Sequence, residues 1–164
     1  MNESGMVEVR VSGLKVDDRA RSMVVLLQEV TGDRKLPIWI GHTEAGAIAM
    51  ALAGRKFERP LTHDLMKLII EGFQAKLERV AVTELQDNTF FAKLVFQREN
   101  EVVTVDARPS DSIAIALRTQ SPIFVAESLF KTKPALDLTS KDGAERLREF
   151  IEGMDPEDFG NVSP

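Results

Sequence analysis

The chain has 164 residues, 43% of them hydrophobic and 29% charged, the composition of a globular domain rather than a disordered segment. It contains no Cys, which excludes disulfides, thiol nucleophiles and Cys-ligated zinc, and its two His residues, His42 and His63, are too few for a three-His metal site within one chain. A formal net charge of −5 counts against nucleic-acid binding driven by overall basicity, although a local patch can outweigh the mean.

No apolar run approaches the roughly 20 residues that a membrane span needs. Met1–Gly5 carries neither the basic nor the apolar region of a leader. The expected setting is therefore cytoplasmic, with no membrane partner.

Val7, Val9 and Val11 alternate with polar residues and predict a half-buried strand. Val24–Val30 and Leu36–Ile40 flank Thr31-Gly32-Asp33-Arg34 and predict a hairpin. Pro37 cannot donate to a ladder, which places it near a strand's start or on a sheet edge. Thr43 is the expected N-cap of a helix running to about Ala53 and closed by Gly54. Thr62 is the expected cap of a second helix ending near Glu71, with Leu65, Leu68 and Ile69 as its buried stripe and Gly72 as its stop. Arg79–Leu85, Asn88–Val95 and the stretch around Val103 and Val105 read as strands. Pro109 and Ser110 open a helix through about Arg118, Ser121-Pro122 breaks the chain, Ile123–Val125 is a short strand and Ser128–Lys131 a helical turn. Ala144, Leu147, Ile151 and Met154 recur at helical spacing and predict an amphipathic helix from about Lys141 to Glu152, ahead of an acidic tail.

The elements repeat. With Ile48 laid on Ile113, Ala47–Leu52 and Ser112–Leu117 agree at four of six positions, and Ile38 and Ile40 fall on Val103 and Val105. Glu8–Leu14 resembles Arg79–Leu85 in the same order. The expected fold is α+β: an internally duplicated strand–strand–strand–helix unit, residues 7–54 and 79–119, with a mixed or antiparallel sheet and packed helices. It would form a domain of residues 1–135, with residues 136–164 as the C-terminal helix and tail.

The densest polar group is Asp106-Ala107-Arg108-Pro109-Ser110-Asp111-Ser112, where a strand runs into a helix. An Arg beside helix N-terminal N–H groups suits an anion, and Asp106 and Asp111 could instead hold Mg²⁺ or Mn²⁺. The plain structural alternative has Ser110 capping the helix, Asp111 complementing its dipole and Arg108 pairing with Asp106. The matching corner of the first unit is Gly41-His42-Thr43-Glu44, where His42 is a candidate general base or a solvated residue. Arg55, Lys56 and Arg59, interleaved with Phe57, could grip a phosphate backbone or form a solvated loop. His63 and Asp64 follow in the first turn of the second helix. They could reach a substrate, or Asp64 could serve the helix dipole alone.

Three stretches carry a resemblance: Leu36-Pro37-Ile38-Trp39-Ile40-Gly41 with Glu44-Ala45, Arg59-Pro60-Leu61-Thr62-His63-Asp64-Leu65, and Asp106–Ala114. Through them the chain resembles the bifunctional nuclease family, over roughly Val7 to Leu129, in the manner of a bacterial stand-alone member. The resemblance implies hydrolysis of DNA and RNA, with nucleic acid as the partner. It marks His42, Glu44, His63, Asp64, Asp106, Arg108 and Asp111 as the positions to carry the chemistry.

Three functions follow as expectations. One is a nuclease in which metal held by Asp106, Asp111 and a further carboxylate from Asp64 or Glu44 activates water while Arg108 clamps the phosphate, with Arg55, Lys56, Arg59 and Ser110 binding substrate. A metal-free route would need His42 and His63 together as acid and base, and the metal route is the expected one because nothing in the spacing brings the two His together. The second is a non-catalytic module binding an anion, a nucleotide or a protein. The third is a protein whose apolar surfaces chiefly build a homodimer.

Overall fold

The computed structural model describes residues 5–17, 20–131 and Glu152. The elements are β1 (Met6–Asp17), β2 (Ser22–Glu29), β3 (Lys35–Ile40), α1 (His42–Leu52), α2 (Thr62–Gly72), β4 (Lys76–Gln86), β5 (Thr89–Arg98), β6 (Glu101–Ala107), α3 (Pro109–Thr119) and β7 (Ile123–Ala126), ending in a 3₁₀ turn at Glu127–Lys131. The α+β class is thus as expected. The predicted amphipathic helix at 141–152 and the tail lie outside the described residues, Glu152 apart.

All seven strands form one mixed sheet in the order β3-β2-β1-β7-β4-β5-β6. Every pair is antiparallel except β4 with β7. The short β7 stands in the middle, with β1–β3 on one side and β4–β6 on the other, so β3 and β6 are the two edges. Pro37 lies on the β3 edge opposite Leu26, where its missing N–H breaks no ladder.

One face of the sheet carries the core. Met23, Val25, Leu27, Ile38, Val80, Val82, Ala92 and Leu94 join one buried cluster with Ala45–Ala49 of α1 and Ile113–Ala116 of α3. Alanine and glycine dominate the buried side of α1, at Ala45, Gly46, Ala47 and Ala49, and such small residues let α1 lie close against α3.

The second helix departs from expectation. Leu65, Leu68 and Ile69 are about half exposed, and the one buried residue of α2 is His63. The helical spacing of those apolar residues is real, but the stripe faces away from the core because α2 leans on α3 through its polar first turn instead.

The caps differ too. Residues 41, 61 and 108 occupy the N-cap positions of α1, α2 and α3, none with a side-chain cap bond of its own. Thr43, Thr62 and Ser110 sit inside their helices. The side-chain acceptor at α2 is Asp64, two residues after Thr62, which takes the Leu61 N–H at 3.0 Å. In α3, Pro109 is at the first helical position, where its lack of an N–H costs nothing.

The fold's consequence for function lies at the edges. Strands β3 and β6 are the sheet's opposite margins, yet each runs directly into a helix, α1 or α3, and these helices pack together. The two strand–helix corners, Gly41–Glu44 and Arg108–Asp111, are thereby brought into contact.

Candidate active site

Arg108 joins the corners. Its Nη1 donates to Glu44 Oε1 at 2.9 Å and its Nε to Asp111 Oδ2 at 2.9 Å. Asp111 Oδ1 lies 2.9 Å from His63 Nε2. The result is a chain Glu44–Arg108–Asp111–His63 drawn from three helices. The guanidinium has five N–H groups, so Nη2 remains available to an incoming anion.

Burial opposes ionisation of Asp111, but the hydrogen bonds from Arg108 and His63, with the charge of Arg108, hold its carboxyl below the ordinary carboxylate range. Arg108 is held more firmly cationic by Asp111 and then Glu44. An ionised Asp111 only accepts, so His63 Nε2 must be the donor, leaving Nδ1 as the acceptor of the neutral ring. That tautomer is the one in which a histidine beside a carboxylate acts as a base.

A second linkage sits beneath. Asp64 Oδ1 accepts from Arg118 Nε at 2.6 Å, and Arg118 also donates to the carbonyls of Ala114 and Ala47. The Arg118 side chain is 7% exposed. Adjacent residues His63 and Asp64 thus reach Asp111 and Arg118, about two helical turns apart on α3, and fix α2 alongside it. Both Asp64 oxygens are engaged in holding the fold.

These groups line a cavity of about 450 Å³, bounded by Thr43, Glu44, Leu61, His63, Arg108 and Arg118 among others. A second cavity of about 240 Å³ shares Glu44 and Arg108 and extends along Trp39, Gly41, Asn88, Phe90 and Ser110. The Glu44–Arg108 pair therefore stands between two adjoining spaces. Gly41 leaves room at this wall for the Glu44 carboxylate, which a Cβ there would push aside.

The remaining sequence candidates fall elsewhere. His42 is exposed, with Nε2 3.4 Å from the Arg21 carbonyl oxygen. Arg55, Lys56 and Arg59 are exposed on the α1–α2 loop and line neither cavity. Ser110 is buried and lines the smaller one. Asp106 pairs across the sheet with Lys93, whose neighbours Ala92 and Leu94 point into the core. By strand alternation Lys93 and Asp106 lie on the opposite face, away from Asp111 and the helices. Arg108 accordingly bonds Asp111 and Glu44, not Asp106.

This arrangement does not fit the expected metal pair. Asp106 and Asp111 diverge, both oxygens of Asp111 are already bonded, and among the described residues no group of three or more His, Asp or Glu side chains could hold an ion.

Sequence reading missed Arg118, Trp39, Asn88 and Phe90. Arg118 sits in the last turn of its helix, where a cation ordinarily complements the dipole, so nothing marked it as a buried clamp. Trp39 alternates with buried Ile38 and Ile40, a signal of outward facing that was available.

The protein is thus of the α+β class, with a histidine–carboxylate–arginine chain lining an open cavity. The chain matches the bifunctional nuclease domain over residues 25–136 and belongs to that family. It is 42% identical over 164 residues to an uncharacterized protein of Mycobacterium tuberculosis, covering 94% of this chain and 98% of that one. It is 29% identical over 112 residues to Bifunctional nuclease 1 of Oryza sativa subsp. japonica, covering 66% of this chain and 34% of the plant protein. Bifunctional nuclease 1 of Arabidopsis thaliana is 28% identical over 111 residues, with the same coverage. Among the described residues no helix is long and apolar enough to cross a membrane.

Proposed function

We propose that the protein hydrolyses phosphodiester bonds of nucleic acid at the cleft between α1, α2 and α3. The observation that carries this is the continuous chain Glu44–Arg108–Asp111–His63 lining one cavity, within a domain whose plant relatives are named bifunctional nucleases. Arg108, through Nη2, binds a phosphate oxygen and stabilises the charge that develops on it. His63 Nδ1 takes the proton of the attacking water, and Asp111 orients the ring and stabilises the imidazolium formed. The leaving oxygen departs as an alkoxide that is protonated from solvent, or from His63 once it is charged.

Electrostatics supports a guarded version of this site. Glu44, Asp64 and Asp111 face two guanidiniums, Arg108 and Arg118, so these side chains together carry a surplus of negative charge. Glu44 tempers the affinity of Arg108 for anions. This surplus is the reason to test divalent cations even though the described donors do not form a cation site.

The test is cleavage of single-stranded DNA, double-stranded DNA and RNA by identically purified wild type and Arg108→Ala, each with Mg²⁺, Mn²⁺ and EDTA. Activity in the wild type that disappears in the variant supports the reading. Equal activity in both overturns it. The alternative, a non-catalytic anion- or nucleotide-binding module, takes its place if phosphate-bearing ligands raise the melting temperature through Arg108 and no cleavage occurs.

Two structural proposals accompany the reading. The units β1–β3 with α1 and β4–β6 with α3 descend from one duplicated element, a view supported by their mirrored places about β7. A homodimer built on the exposed apolar side of α2 is supported by Leu65, Leu68, Ile69 and Phe73; a monomer in light scattering at micromolar concentration removes it.

A further inference from the structure

We infer that the sheet face turned away from the cleft is a docking surface for the chain's own C-terminal segment, with Ala144, Leu147, Ile151 and Met154 laid on Val24, Leu26, Ala81 and Val95. The inference is independent of the nuclease reading.

Strand register separates the two faces. Met23, Val25 and Leu27 join the core under α1 and α3, so by alternation Ser22, Val24 and Leu26 point the other way. Pro37 and Trp39 pair with Leu26 and Val24 and lie on that same second face. Ala81 and Val95 lie there too, each next to a core residue, Val82 or Leu94, and Phe124 pairs with Ala81. This second face is buried. Val24 is 0% exposed, Leu26 5%, Val95 7% and Ala81 9%, and Ser22 Oγ is sealed from solvent. Yet Val24, Leu26, Ala81 and Val95 do not belong to the core cluster formed with the helices. Among the described residues α1 and α3 pack on the first face and α2 rests on α3, so no described helix covers the second. A sheet face open to water is lined by polar residues and does not bury a valine completely. The second face therefore has a cover that lies outside the described residues.

Size and pattern name the cover. From β2 to β5 the apolar strip crosses β1, β7 and β4, four strand spacings or about 19 Å. Residues 1–4 and 18–19 are too few to span it. The helix that the sequence predicts at 141–152 has a length of about 18 Å, with its apolar residues along one side. Residues 132–140 reach at most about 30 Å when extended, enough to carry the chain from Lys131 around the end of the sheet. Glu152 falls on the polar side of the stripe, and it is helical and exposed, as this placement requires. The cleft is lined from α1, α2 and α3 on the first face, so the docked segment stays clear of Glu44, His63, Arg108 and Asp111.

Adjacent valines on opposite faces provide the test. In the full-length protein with labelled methyl groups, nuclear Overhauser contacts are expected from Leu147 and Ile151 to Val24, Leu26 or Val95, and none to Val25 or Leu27. Denaturant unfolding supplies a second readout. Ile151→Ala is expected to lower the folded-to-unfolded ratio by roughly 5- to 30-fold, and Glu149→Ala, on the polar side, to leave it nearly unchanged. Combined with Val24→Ala, the loss from Ile151→Ala is expected to be smaller than the product of the single losses, because the two side chains share one contact. Combined with Val25→Ala it is expected to equal the product. Absence of contacts from Leu147 and Ile151 to the second face, or losses that multiply in both pairs, overturns the inference. Contacts that appear only between differently labelled copies in a mixed sample overturn it as well, since the cover then comes from a second chain.

Discussion

The two strand–helix corners are alike in construction and unlike in chemistry. Each places a helix N-terminus at the end of an edge strand, and both helices bury an Ile-Ala run in the same core. At α1 the corner supplies a glycine and Glu44; at α3 it supplies Arg108 and Asp111. Neither is a site alone. The first has no cation directed at the cleft, and the second has its cation held by its own Asp111 until Glu44 and His63 arrive from other helices. The difference teaches that similar strand–helix corners can frame one pocket while their side chains differ; in the proposed reading the α3 corner would bind and orient, and the α1 corner would moderate.

The comparison breaks most severely at the residue that neither corner contains. Replacing His63 by Asn removes the proposed base, and the cleavage rate is expected to fall by about 10²- to 10⁴-fold in single-turnover assays. Arg108→Ala separates the corners and removes the phosphate ligand. Here the expected loss is about 10²- to 10³-fold in rate, with weaker binding of the substrate.

Next in size are effects on stability. Asp64→Ala leaves Arg118 buried without its carboxylate and frees the Leu61 N–H. A cost of about 2–3 kcal/mol in denaturant unfolding is expected, less than the ~3–5 kcal/mol of a fully buried broken pair, since Asp64 is 35% exposed. Asp111 adds a pH signature. Its folded pKa lies below its ordinary 3.8, so the stability it contributes is present above that value and is lost as pH falls through the folded one. Melting curves of Asp111→Asn should trail the wild type at about pH 6, and the gap should begin to close only as pH falls below 3.8 toward the folded pKa.

The smallest effects sharpen the moderating role of the α1 corner. Glu44→Gln should raise affinity for inorganic phosphate by roughly 1.5- to 5-fold, the scale of an exposed ion pair, with the fold intact. Gly41→Ala forces the Glu44 carboxylate aside and should give the same phenotype by isothermal titration. Opposite signs for the two substitutions would sever Glu44 from Arg108 in this account.

Much of this was legible in the residues. Alternation found β1, turn chemistry found the β2–β3 hairpin, and the Ile-Ala runs found α1 and α3. Sequence also pointed to Glu44, His63, Arg108 and Asp111 from three separate stretches. It could not show that they converge, because that depends on the sheet's two edges meeting through packed helices, a property of topology and not of spacing. Asp106 was misleading for a local reason: neighbouring a strand end, it reads as close to Asp111, but strand alternation turns it to the other face. The apolar spacing of α2 was correctly seen and wrongly placed, since periodicity reports a stripe and not what covers it.

The most direct test of the joined-corner site is single-turnover cleavage of labelled single-stranded DNA and RNA by wild type, His63→Asn and Asp111→Asn, purified in parallel and assayed near neutral pH well below the melting temperature of the least stable of the three. The account predicts cleavage by the wild type and a loss of at least about 10²-fold in both variants. Undiminished cleavage by His63→Asn would contradict it, and would remove the cleft between α1, α2 and α3 as the place where the chemistry occurs.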